Sequence, residues 1–166
     1  MVNLTKGLEY ITEIIKECIK KELKENGVLS DVESFIPIFH NESGVNEPCI
    51  WMVQHLTTVE KNSNISQTMQ LKSTFEFVCV EYDPDPEIAE AKGQNLASRV
   101  GRVIAKNYLC VQDELDTPRI IHRINFNTYY PVGEVEIKGK ADKVPATSLV
   151  LDVIFSINWI NCCKNE

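Results

Sequence analysis

The sequence predicts an α+β domain: two helices packed on one face of a mainly antiparallel sheet of four to five strands, in the order helix-strand-strand-helix-strand-strand. Three observations carry this. Gln67 to Asp83 alternates with a period of two, Met69, Leu71, Phe75, Phe77 and Cys79 against Thr68, Gln70, Lys72, Thr74 and Glu76, which marks a long strand with one buried face. Apolar residues recur every three or four positions from Leu4 to Leu23 and again from Ile88 to Ile104, the spacing of a helix with one apolar stripe. Ser148 to Ile160 alternates like the first stretch, with Leu149, Leu151, Val153, Phe155, Ile157 and Trp159 in one row.

In chain order, the first helix has Asn3 or Thr5 at its start and Asn26-Gly27 as a left-handed stop. Its second face carries Lys6, Glu9, Glu13, Lys16, Glu17, Lys20 and Lys24, a solvated face with weak ion pairs. Within Gly27 to Glu47, the run SFIPIF reads as an edge strand or extended connector, because Pro37 lacks the donor that a central strand uses. Ile50 to Glu60 follows as a strand, with Trp51, Val53, His55, Thr57 and Val59 on one face and Ile50, Met52, Gln54 and Leu56 on the other. The polar KNSNIS turn joins it to the Gln67–Asp83 strand as an antiparallel hairpin. Val78, Val80 and Tyr82 make both faces of that strand's end apolar, so a helix is expected over it.

Asp83-Pro84-Asp85-Pro86-Glu87 is a helix start: Asp85 caps, Pro86 sits in the first turn, and Glu87 suits the helix dipole. A calcium loop needs more oxygen ligands and a glycine at its turn. The second helix then runs to about Asn107, with Gly93 or Gly101 permitting close approach to the sheet. Cys110 to Pro118 is expected as a polar connector. Arg119 to Tyr130 is the third main strand, with Ile120, His122, Ile124 and Phe126 in one row, and Pro131 to Thr147 follows as a mobile loop suited to a contact arm, although Val135 and Ile137 could extend a strand. The whole of residues 1–166 forms one domain with a frayed tail at 161–166.

Composition bounds the function. The chain has 166 residues, a net charge of −7 and no apolar run near 18 residues, so neither a transmembrane helix nor a basic nucleic-acid surface is expected. The early glutamates of MVNLTKGLEYITEIIKE leave no signal-peptide stretch, and a cytoplasmic origin is expected. Six cysteines, scattered apart from the adjacent Cys162 and Cys163 and without a C-x-x-C pair, then read as reduced thiols. GKADK lacks the upstream glycine of a phosphate-binding loop. Of the three histidines, His40, His55 and His122, none stands at ligand spacing from another ligand type.

The helix, the hairpin IWMVQHLTTVE to TFEFVCVEYD, the helix DPEIAEAKGQNLASRVGRVIA and the pair RIIHRINFNTYY and TSLVLDVIFSINW resemble, in order, length and loop placement, the tail terminator proteins of long-tailed bacterial and archaeal viruses. The resemblance spans roughly residues 1 to 160 and no specific motif carries it. It implies a non-enzymatic virion protein without catalytic, cofactor or metal residues, made in the host cytoplasm. Its subunits would form a ring, often a hexamer, that caps the tail tube and joins it to the head connector. Neighbouring head–tail adaptor or minor tail proteins are the alternative within that class. A ring subunit needs complementary surfaces, and Arg99 and Arg102 on the second helix with Lys138, Lys140 and Lys143 in the 131–147 loop are the expected contact residues. Outside that class stand a small ligand-binding domain or enzyme using His55, Asp83, Asp85 and His122, and an RNA-binding sheet stacking bases on Tyr129, Tyr130 or Trp159.

Overall fold

The computed structural model describes residues 9–37, 45–62, 68–113, 121–137, 139–140 and 143–158. The chain is α+β, with helix α1 (Glu9–Glu22), strands β1 (Ser34–Ile36), β2 (Cys49–Asn62) and β3 (Thr68–Val80), helix α2 (Pro86–Asp113), and strands β4 (Ile121–Val135) and β5 (Val144–Asn158). Among the described residues the strands form one sheet in the order β1-β2-β3-β5-β4. Every pairing is antiparallel except β1 on β2. The expected helix-strand-strand-helix-strand-strand order therefore gains a short strand between α1 and the first hairpin. The SFIPIF run supplies it: Ser34 to Ile36 pair with Cys49 to Trp51, and Pro37, without an N–H, follows the last paired residue.

Both helices lie on one face of the sheet. Ile11, Ile15, Cys18 and Ile19 of α1 and Leu96, Ala97, Val100 and Ile104 of α2 share a core with Phe75, Phe77, Leu149, Leu151, Val153 and Phe155 of the two central strands. At about 25 cal/mol per Å² of apolar surface, each buried Phe or Leu contributes about 1.5–3 kcal/mol, so these central rows dominate stability. Gly93 brings α2 against the sheet: a Cβ there would stand 3.3 Å from the Cys79 carbonyl oxygen and 3.3 Å from Thr147 Oγ1.

The opposite face has a second, smaller core at one end, where Cys49, Trp51, Val78, Val80, Val144 and Ala146 are covered by Val45 and Ile137. A helix was the expected cover for the apolar end of β3. The cover is instead mostly irregular chain, α2 adding only Ala89. In the described part of the 131–147 segment the strand extension at Val135 replaces the free arm: β4 runs on to Val135, β5 begins at Val144, and Ile137 between them is buried. Valines at 135 and 144 pair across this extension and keep it in the sheet.

Helix α2 passes the expected end at Asn107 and continues to Asp113, taking in part of the Cys110–Pro118 stretch. No glycine or proline stands between Asn107 and Pro118 to stop it. Helix α1 ends as its sequence implies: Asn26 adopts φ 72°, and the Gly27 and Leu29 amides donate to the Lys24 and Glu22 carbonyls.

Bulges change two facing patterns. Between Gln54 and Thr57 and between Val59 and Lys61, β2 carries an extra residue relative to β3. Thr57 and Val59 thus pair with Ser73 and Leu71 of the helix-covered face, not in one row with Trp51 and Val53 as alternation alone implies. On β4 an extra residue between Ile121 and Arg123 puts His122 on the open face, away from Ile124 and Phe126. Ile120, the remaining member of that expected row, lies outside the described residues, as do Asn3, Thr5, His40, Trp159 and the tail.

Candidate functional site

The expected contact residues part company in three dimensions. Arg99 turns inward: Nη1 donates to Asp31 Oδ1 at 2.6 Å and to the Val28 carbonyl at 3.2 Å, and the side chain is 18% exposed. It pins the α1–β1 connection to α2, and this guanidinium holds the Asp31 carboxyl below the usual range. Lys140 is also engaged within the chain, 3.2 Å from Glu47 Oε1 and 3.8 Å from the centre of the Tyr82 ring. Glu47 in turn accepts from the Tyr82 amide. Arg102 and Lys143 are exposed, and Lys138 lies outside the described residues.

Asp83 and Asp85 do cap work. Asp85 Oδ1 accepts from the Glu87 amide at 2.9 Å, and Asp83 Oδ1 accepts from the Asp85 amide at 3.0 Å. That amide, followed by the Lys92 ammonium 3.0 Å from the second oxygen, lowers the Asp83 pKa, and Asp83 reciprocally raises that of Lys92. Among the described residues no group of three or more His, Cys, Asp or Glu side chains is arranged to hold a metal ion.

The two described histidines occupy opposite edges of the open face. His55 Nε2 lies 2.6 Å from Glu76 Oε2, and the Ser148 hydroxyl donates to the other Glu76 oxygen. His122 Nε2 lies 2.6 Å from Ser156 Oγ. From β2 to β4 is three strand spacings, and the rows of Glu76 and Ser156 are offset along β5 from Val150 to Ser156. The imidazoles are thus roughly 25 Å apart at ordinary strand spacing and rise, too far to share a substrate atom or an ion. Glu76 accepts from both neighbours, and Ser148 is fully buried, so this trio ties β2, β3 and β5 together.

A cleft of 220 Å³ opens between α2 and β4, lined by Gln94, Ser98, Tyr129, Pro131 and Thr147. Burial raises the Tyr129 pKa. Thiols are also shielded: burial pushes Cys49 up to about 12 and Cys79 higher still.

The surface feature that does stand out lies on the sheet's edges. Strand β1 covers β2 only from Cys49 to Trp51, so β2 from Met52 to Asn62 has no strand on its outer side among the described residues, and neither has β4 over its 15 residues. Of the six large hydrophobic residues exposed among the described residues, four lie on these two edges: Leu56 (65%) and Val59 (56%) on β2, Phe126 (41%) and Tyr129 (48%) on β4. Exposed edges with apolar side chains are sites where another chain can add. Sequence reasoning missed them because Leu56, Val59 and Phe126 read as ordinary members of alternating strands, and only sheet order makes their strands outermost.

The chain matches no protein-family model and no curated protein.

Proposed function

We propose that this chain is a non-enzymatic, self-associating structural subunit, of the kind that forms a tail terminator ring between the tail tube and head connector of a long-tailed virus. The observation that carries the reading is a pair of apolar-bearing edges, on opposite sides of a single sheet, that no strand covers among the described residues. Two different edges favour a heterologous contact, which either closes into a ring or runs on as a filament. The resemblance in element order, length and loop placement supplies the virion setting. A head–tail adaptor or minor tail protein would use the same surfaces.

A second reading, a small ligand-binding domain, draws on the cleft between α2 and β4. At 220 Å³ it falls below the usual size of a drug-like ligand site, and its lining offers hydroxyl and amide groups without a charged one.

Light scattering over a range of concentration and salt separates the two. The ring reading expects a species of about six subunits of 18.9 kDa each, favoured by concentration, with an annular outline by electron microscopy. A monomer or a compact dimer at every concentration refutes it.

A further inference from the structure

We infer that copies of this chain join strand to strand: the Met52–Asn62 stretch of β2, uncovered among the described residues, pairs on one copy antiparallel with β4 of the next, so that the sheet continues across the boundary. The inference rests on the ring reading above and specifies its interface.

Strand sense is the first argument. In the order β2-β3-β5-β4 each neighbour is antiparallel to the last, so β2 and β4 themselves run in opposite directions. A second copy rotated about an axis roughly along the strands keeps its strand directions. Its β2 therefore arrives antiparallel to β4 of the first copy, and the alternation continues unbroken.

Apolar placement is the second. Val59 pairs with Leu71, Phe126 with Leu151 and Tyr129 with Leu149, all on the helix-covered side of the sheet. Joining the edges thus extends the main core from one copy to the next and draws Val59, Phe126 and Tyr129 out of water. On the open face, Glu60 of β2, which lies 3.5 Å from Lys72 of its own chain, and Arg123 of β4 lie toward the same end of the sheet, so the join adds an arginine on the strand next to that carboxylate.

Irregularity is the third. Among the described residues the five register shifts of this sheet all place the extra residue on β2 or β4, two on the former and three on the latter, while β3 and β5 pair without one. Bulges bend and twist a strand, and a sheet that must curve to close needs that bend at its joins.

The test uses complementary edge variants of the full chain. L56D/V59D disables the β2 edge and F126D/Y129D the β4 edge, and light scattering is measured on each alone and on the equimolar mixture. We expect wild type to give a ring, each variant alone to give the 18.9 kDa monomer, and the mixture to give a 1:1 pair of twice that mass, since one intact edge of each kind remains. I88D, an exposed apolar position at the start of α2 away from both edges, should assemble like wild type. Circular dichroism checks that each variant is folded, and L56T/V59T with F126T/Y129T carry the same test if an aspartate pair unfolds the chain. A wild-type ring that both edge variants still form overturns the strand-to-strand join while leaving the ring reading intact. A β4 variant that is monomeric beside a β2 variant that dimerises overturns the head-to-tail order in favour of a two-fold β4–β4 contact. A wild-type chain that is monomeric at every concentration overturns both.

Discussion

Replacing Gly27 with alanine tests the turn that follows α1. A Cβ built on Gly27 would stand 2.1 Å from the Glu22 carbonyl oxygen and 2.5 Å from its carbon, both backbone atoms of the last residue of α1. No rotamer change relieves such a contact, so the loop itself must move. Overpacking of this kind costs about 1–3 kcal/mol. Moving the loop also strains the Leu29 amide bond to the Glu22 carbonyl (3.0 Å) and the Val28 amide bond to Glu22 Oε2 (3.0 Å), each worth about 0.5–1.5 kcal/mol. Against this, alanine stiffens the unfolded chain and returns about 0.4–1 kcal/mol. The net expectation is a loss of roughly 2–3 kcal/mol, which for a chain of this size lowers Tm by about 4–12 °C. Urea and thermal unfolding followed by far-UV circular dichroism measure it. Equal or greater stability than wild type would refute the reasoning, because it would mean that the turn tolerates a side chain against the helix end and only the unfolded state felt the change. Gly101→Ala is the internal comparison: its Cβ would meet the Tyr129 hydroxyl at 2.7 Å, the end of a side chain and not a backbone atom, so a smaller loss is expected.

Phe75→Ala, a fully buried ring on a central strand, should cost about 3–5 kcal/mol by chemical denaturation, and a loss below 1 kcal/mol would mean that the helix layer is not packed on β3 as described. Asp31→Asn should lower stability at pH 7 by at most about 1 kcal/mol, since that carboxylate is half exposed. The Asp31 pKa is depressed in the folded state, so its contribution is complete above the unfolded value of about 3.9 and fades as pH falls through the lower folded value. The gap between wild type and variant should therefore close in acid, and a gap that widens there contradicts the pairing with Arg99. Cys49 and Cys79 should resist alkylation at pH 8 in the folded chain and react on unfolding; mass spectrometry showing rapid native labelling at either would contradict their burial.

Local pattern determined a good deal of this protein. The alternation of β3 and β5 and the stripes of both helices named the rows that meet in the main core, because the strand period of two and the helix period of 3.6 are set by backbone geometry. The Asn26 stop and the Asp85 cap were legible for the same reason, since each depends on groups a few residues apart. Tertiary structure decided what depends on two distant segments at once. A bulge is a mismatch between partners, so neither the reversed facing of Thr57 and Val59 nor the displacement of His122 is written in one strand alone. Arg99 looked like a surface cation until Asp31, 68 positions earlier, was brought against it, and Lys140 likewise until Tyr82 and Glu47 closed on it. The two edges come from sheet order, which places β5 between β3 and β4 and leaves β4 outermost among the described strands; Phe126 and Tyr129 are exposed by that arrangement, not by their own sequence.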